Sequence, residues 1–338
     1  MQCVVVQDKF GLENLKLVER PDPEPGPGQL LLKMKAVSLN YRDLLMARGH
    51  YNPRQPLPLI PASDGVGEVV AVGSGVTRAA VGDRVCPIFA QGWLAGKATP
   101  ENLRTTLGGP LDGTLTELMT VSAEGVVQVP KYLSDAEAAT LPCAAVTAWS
   151  ALITHGGLKA GETVLTQGSG GVSIFAIQIA KLFGARVIAT SSSDTKRKRL
   201  EELGADATLN YKDEPKWGKV VRDLSGGAGV DHVVEVGGGN TLGESLRCVR
   251  PDGQISVIGV LSGVATDLNI LPILMQNIRL QGVLVGHRES FEAMNRAFAL
   301  SELRPVVDRV FPMAETRAAL EHMATGSHFG KIVIAIDS

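Results

Sequence analysis

The stretch TQGSGGVSIFAIQIAK, residues 166–181, decides how the chain is read. Gly168, Gly170 and Gly171 follow the apolar run TVLTQ (163–167) and precede an almost wholly apolar run of helical length. A strand, a glycine turn and a helix in that order open a βαβ unit. The turn aims backbone N–H groups outward and the helix N-terminus adds partial positive charge, so a dinucleotide pyrophosphate can sit there. The pattern departs from G-x-G-x-x-G at its last place, which holds Ser173. That place mainly serves close packing of helix on strand. Serine adds one hydroxymethyl group, so a small change of spacing with binding retained is expected. The competing reading, a purely structural turn, is disfavoured by the strand before the loop and the buried helix after it.

Downstream, strand-like and helical runs alternate. ARVIATS (185–191) is followed by SDTKRKRLEEL (193–203), then ATLNY (207–211), a helix near Trp217–Leu224, DHVVEV (231–236), a helix near Thr241–Val249, GQISVIGV (253–260) and IRLQGVLVG (278–286). With TVLTQ this makes six continuous apolar strands, the pattern of a doubly wound parallel sheet with helices on both faces. Residues 1–123 have another texture. LKLVE, QLLLKMKAVSL, GVGEVVAVG, DRVCPIFA and LTELMTVS are short β-type runs cut by Gly and Pro, an irregular antiparallel β domain. Gln91–Asp112 reads as a polar surface excursion. After residue 290 come two helical runs and GKIVIAI (330–336), a tail expected to return to the first domain because the six-strand sheet is already complete. The expected domains are therefore 1–123 with 290–338, and 124–289.

An NAD site usually places Asp or Glu at the end of the second strand, on the ribose 2′-hydroxyl. Ser191 stands there, with Ser192 beside it and Lys196 and Arg197 following. Small hydroxyls and cations suit a 2′-phosphate, which a carboxylate would repel. Tyr211 adds a phenol donor after the third strand. Asp194 cuts the other way unless it caps the helix, and the cations also read as a solvated face with pairs such as Arg197–Glu201. Gly237, Gly259–Leu261 (with Val260 between) and Leu284–Val285 fall at strand ends, where ligands of open α/β sheets bind.

Composition narrows the partners. The chain has 338 residues, 44% of them hydrophobic and 20% charged, with net charge −2. That balance gives no electrostatic case for nucleic acid or anionic membrane. No apolar run approaches the length of a membrane span and no secretory signal is visible. Cys3, Cys86, Cys143 and Cys248 show no pairing pattern, as in a reducing cytoplasm.

GETVLTQGSGGVSIFAIQIAK, the link VPKYLSDAEAATLPCAAVTAW (129–149) and the β-rich N-terminal region resemble the medium-chain dehydrogenase/reductases over nearly the whole chain. VSLNYRDLLMARGHY (37–51) resembles the zinc-free, quinone-oxidoreductase-like branch, while the tight glycine spacing resembles the alcohol dehydrogenases. The resemblance implies a GroES-like catalytic domain, a Rossmann domain and an active site in the cleft between them. At the places of the family's catalytic zinc ligands this sequence has Asn40, Ser63-Asp64 and Cys143, so no zinc is expected.

Without a Lewis acid, hydride transfer from NADPH to an activated double bond (a quinone, enone or enoyl group) is the expected chemistry, with NADH less favoured. It needs donors for the enolate oxygen and a proton for the α-carbon. The resemblance points to Asn40, Tyr41, Tyr51 and Asp64 as catalytic candidates, with Arg42 and Asp43 orienting the loop by a salt bridge and His50 or His287 as possible relays. It places Thr147 and Gly168–Val172 (including Ser169) near the cofactor, with Lys331 closing on it from the tail. A carbonyl or alcohol oxidoreductase, or a cofactor-binding protein without turnover, are the alternatives. As in relatives, the sixth strand is expected to pair across a two-fold axis in a homodimer.

Overall fold

The computed structural model describes residues 1–264 and 267–336, which form two compact units, Met1–Val146 with Gly286–Ser338 and Thr147–Val285. In the first, β1 (Gln2–Val6) and β2 (Leu15–Glu19) make an antiparallel pair. A seven-stranded sheet is built on β3 (Gln29–Ser38), whose Leu30, Leu32, Met34 and Ala36 point to the core while alternate residues face outward, the period of two that half-buried strands require. The helix α1 (Tyr41–Ala47) leads to β4 (Asp64–Val72) and β5 (Arg84–Pro87). The short α2 (Pro100–Leu103), β6 (Leu118–Ser122), β7 (Val126–Gln128) and α3 (Asp135–Ala138) follow. Residues 141–154 are helical, with a single α-turn, α4 (Val146–Trp149), between two wider π-type turns.

In the second unit, β8 (Thr163–Gln167), α5 (Gly171–Leu182), β9 (Arg186–Ser191), α6 (Asp194–Glu202) and β10 (Ala207–Asn210) form one half. The other half is α7 (Trp217–Leu224), β11 (Val230–Glu235), α8 (Leu242–Cys248), β12 (Val249–Val257), α9 (Leu271–Met275) and β13 (Arg279–Gly282). All six strands are parallel in the order β10-β9-β8-β11-β12-β13. The order reverses at β8, the switch point where such sheets bind dinucleotides. The chain then forms α10 (Arg288–Ser301), β14 (Val307–Pro312), α11 (Thr316–Ala324) and β15 (Lys331–Ala335). β15 inserts between β14 and β3, so the tail does complete the first sheet.

Each unit has its own core. Leu32, Met34, Val69, Val85, Leu115 and Ile334 anchor the first; Leu165, Ile188, Val221, Val233 and Ile255 anchor the second. Cutting one such leucine to alanine would cost about 2–5 kcal/mol.

Two expectations need correction. Residues 124–146 belong to the first unit and not to the nucleotide unit, because β7 pairs with β5 through Val85 and Gln128. Gln91–Asp112 is a surface excursion only in part: residues 95–101 are exposed, but Trp93, Thr106 and Leu107 are buried, and Leu107 N–H donates to the Phe89 carbonyl.

Candidate functional site

The glycine loop lies between β8 and α5. Gly168 has φ +72°, the left-handed region that glycine enters without strain. Gly170, at φ −77°, has a backbone any residue can adopt. A Cβ added at either would meet nothing within 4 Å. Packing within the chain does not demand glycine at 170; bare backbone there keeps space open for something that approaches closely. No side chain caps α5, so its first N–H groups are turned to that space, the arrangement that accepts an anion. Ser173 is buried, and its hydroxyl donates to the Gln167 carbonyl at 2.6 Å. The departure from the fingerprint thus ties helix to strand. Ser169 is buried in the loop, and Val172 lies in the first turn of α5.

At the end of β9, Ser191 is buried and its Oγ accepts the Ser193 N–H at 3.4 Å. Ser193, not Asp194, caps α6, accepting the Lys196 N–H. Lys196 is therefore in the first turn of the helix, half-buried, next to Ser191 and the half-buried Ser192. Arg197 donates to Asp194 at 3.0 Å and to Thr208, whose hydroxyl reaches Glu201; the expected Arg197–Glu201 pair is replaced by this three-way contact. Tyr211 is exposed after β10.

The loop after β11 contains the element that sequence reasoning missed. Glu235 is fully buried and accepts five hydrogen bonds. Its Oε1 takes the N–H groups of Gly237 and Gly238, both at 2.9 Å, and the Thr241 hydroxyl at 2.6 Å. Its Oε2 takes the Gln167 amide at 2.8 Å and the Ser245 hydroxyl at 2.5 Å. One carboxylate thereby ties the end of β8 to the Gly237 turn. No motif announces it, since the five donors come from four separate places in the sequence. Gly259 joins the same region through its N–H to the Glu235 carbonyl, while Val260, Leu261 and Leu284 are exposed. Val285 has φ +56°, strained for a β-branched residue. Thr147 is buried in α4.

In the first unit, Asn40, Ser63, Asp64, Cys143 and Lys331 meet. The Lys331 ammonium, only 3% exposed, donates to the Leu39 carbonyl at 2.6 Å and to Asn40 Oδ1 at 2.5 Å. Asn40 Nδ2 is 3.5 Å from Ser63 Oγ, which donates to Asp64 Oδ1 at 2.7 Å. Asp64 Oδ2 accepts the Cys143 N–H at 3.0 Å. Tyr41 and Tyr51 are exposed, and the Arg42 guanidinium lies 5.0 Å from the Tyr51 ring. Lys331, assigned to the cofactor from the sequence, makes both its Leu39 and its Asn40 contact within this unit. The Arg42–Asp43 bridge is long, 3.9 Å, because Arg42 donates to the carbonyls of Leu107 and Gly109. His287 is the cap of α10, accepting the Ser290 N–H at 3.1 Å. His50 is exposed.

Residues 26–131 match the alcohol dehydrogenase GroES-like domain, and residues 171–299 the zinc-binding dehydrogenase family. A zinc-type alcohol dehydrogenase-like protein of Schizosaccharomyces pombe is 40% identical over 344 residues, covering 100% of this chain and 99% of its own. The chain belongs to the medium-chain dehydrogenase/reductases. An acryloyl-coenzyme A reductase of Metallosphaera sedula is 29% identical, covering 99% of each chain. Among solved structures, an NAD-dependent alcohol dehydrogenase superposes with TM-score 0.91 at 33% identity, covering 100% of both chains. A mycobacterial protein solved with NADPH superposes with TM-score 0.84 at 27% identity, covering 99% of this chain and 100% of its own. The chain is an oxidoreductase that uses a nicotinamide cofactor.

In this medium-chain dehydrogenase/reductase the electrostatics of the first-unit cluster follow from burial. Desolvation pushes the Asp64 carboxyl up, opposed first by the Lys331 charge. It pushes Asp43 up to about 6, with the Arg42 charge opposing. It pushes the Cys143 thiol far above its ordinary range, so the sulfur stays protonated. Zinc needs three protein ligands and a deprotonated thiolate. Here Asn40 and Ser63 stand at two of the ligand places, the Asn40 oxygen is taken by an ammonium, both Asp64 oxygens are engaged, and Cys143 offers the one thiol of the cluster. This donor set does not fit the family's catalytic metal.

Proposed function

We propose that the chain is an NADPH-dependent reductase of activated C=C bonds that works without zinc. The observation that carries this is the replacement of the metal's donor set by Asn40, Asp64 and a buried ammonium. Alkoxide chemistry depends on lowering an alcohol's pKa, which a metal does well. Reduction of an enone or enoyl group needs only donors aimed at the enolate oxygen, and a proton. The kinship with an acryloyl-coenzyme A reductase supports the same direction.

NADPH, when bound, supplies the hydride. The bare backbone at Gly168 and Gly170 and the uncapped end of α5 hold the pyrophosphate, and Ser191, Ser192 and Lys196 receive the 2′-phosphate, with Tyr211 adjacent. Glu235 fixes the Gly237 turn beside them. In this reading Asn40 and Tyr51 donate to the substrate oxygen, and the exposed Tyr41 phenol returns a proton. Asp64 holds its carboxyl within the buried network. The four cysteines are free, which suits work in a reducing compartment such as the cytoplasm. Among the described residues no helix is long and apolar enough to cross a membrane. Exposed Val264, Ile270, Leu271, Leu274 and Met275, in the segment that leads into the edge strand β13, support a homodimer closing over that edge.

The test is a panel of enone, enoyl thioester, quinone, aldehyde and alcohol, each with NADPH and NADH, beside metal analysis. Enone or enoyl turnover with NADPH is expected, with no bound zinc. Stoichiometric zinc, a preference for NADH, or turnover confined to the alcohol and aldehyde would overturn the reading. The last result would favour an alcohol oxidoreductase, the activity in the name of the NAD-dependent relative.

A further inference from the structure

We propose that Lys331 is a positioning residue for the reduction, acting through Asn40 to fix which end of its amide faces the substrate. The inference rests on the reading of Asn40 as a donor to the substrate oxygen. A carboxamide is nearly symmetric in shape, so sterics alone do not choose between its oxygen and its nitrogen. Charge does. The Lys331 ammonium is donor-only, and it contacts the Asn40 oxygen at 2.5 Å from within β15. The flipped amide would set N–H against N–H in a buried place, leaving two donors unsatisfied, which costs about 1–3 kcal/mol.

The ammonium is itself held. Its second bond goes to the Leu39 carbonyl at 2.6 Å, the residue just before Asn40, so it grips backbone and side chain together. With Oδ1 fixed, Nδ2 is the end turned toward Ser63 and Asp64. Nδ2 carries two hydrogens; Ser63 and Asp64 are joined by the Ser63 hydroxyl and lie on the same side of the amide, with the Ser63 contact at the long limit of 3.5 Å, so one hydrogen is shared between them and the other serves a substrate oxygen. An ammonium on the acceptor end also polarises the amide and strengthens its N–H groups as donors. Burial divides the roles: Asn40 is half-buried and can touch a ligand, whereas Lys331 is 3% exposed and cannot.

A double-mutant cycle on the full-length protein tests this. Lys331→Met keeps the stem and removes the charge; Asn40→Ala removes the amide; Lys331→Gln restores an uncharged donor. The cycle uses whichever substrate the wild type reduces fastest, C=C or C=O, because both pass through an oxyanion. Failure of the C=C reading thus leaves the cycle informative. Lys331→Met should lower kcat about ten- to hundredfold, less than the roughly hundred- to thousandfold of losing an oxyanion donor outright, because the amide remains but is no longer fixed. The double variant should lose no more than Asn40→Ala alone, and Lys331→Gln should recover part of kcat. NADPH affinity, measured by fluorescence titration without turnover, should stay within about twofold, since no phosphate contact is removed. Additive losses, or a kcat unchanged by Lys331→Met, would overturn the proposal. So would weakened NADPH binding, which would return Lys331 to the cofactor. Thermal melts of all variants identify a folding defect; if Lys331→Met alone is unfolded, the Lys331→Gln arm of the cycle decides by the same criterion of non-additivity.

Discussion

Ser173 was legible as a departure but not as a device. From the sequence it was one hydroxymethyl group where a glycine belongs; in the fold its hydroxyl closes onto the Gln167 carbonyl. The direction of a side chain depends on backbone angles that a single letter does not carry, which is also why the contact of Lys331 with Asn40 was not legible. GKIVIAI shows a strand with a lysine at its start, and nothing in that run says that the lysine turns inward. Asp43 gives a prediction at the same scale. It is buried, one of its oxygens finds no hydrogen-bond partner, and its carboxyl is raised to about 6. A raised carboxyl means the folded state binds the proton more tightly than the unfolded state. Stability from this group is full below the unfolded pKa near 3.8 and is lost as pH rises through about 6. Asp43→Asn carries no such titration. The stability of wild type relative to Asp43→Asn should therefore fall by on the order of 3 kcal/mol from pH 4 to pH 7, measured by chemical denaturation across that range. A flat difference would refute the assignment.

At the scale of elements, the six strands of the second unit were legible because each is a continuous apolar run bounded by turns and separated by helical runs. The cap of α6 was not, because Ser193 and Asp194 are neighbouring residues of equal capping ability, and the backbone decides between them. The Glu235 hub was invisible for a different reason: a lone Glu at a strand end looks solvent-facing until the donors gather around it. Glu235→Gln would turn an amide N–H₂ either toward the Gly237 and Gly238 N–H groups or toward the Gln167 amide N–H₂, none of which can accept. Each misplaced contact costs about 1–3 kcal/mol, so a fall in melting temperature of several degrees is expected, together with weaker NADPH binding as the Gly237 turn loosens. Unchanged affinity with a lowered melting temperature would limit Glu235 to a structural role.

For the molecule as a whole, the proposed homodimer has a direct test. Native mass or sedimentation should give twice the 35.7 kDa of one chain. Leu274→Glu with Met275→Glu, both more than two-thirds exposed in one chain, should return it to a single copy without loss of fold. A wild-type monomer would sink the proposal. The division into two units was half legible. The change of texture near residue 124 is real, yet β7 still pairs with β5, and pairing between segments 40 residues apart is not written in either one.

The return of β15 between β14 and β3 also sets a timetable for synthesis. Residues 147–285 emerge from the ribosome as an uninterrupted unit able to fold while the rest is being made. The first unit must wait, because one strand of its main sheet, and the lysine that grips Asn40, come from residues 331–335. At ribosomal speeds of about 5–20 residues per second, that wait is roughly ten to forty seconds. Throughout it, the edge of β3 that β15 will cover stays open to chaperones or to another nascent chain, and the enzyme can acquire its site only after residues 331–335 have been made.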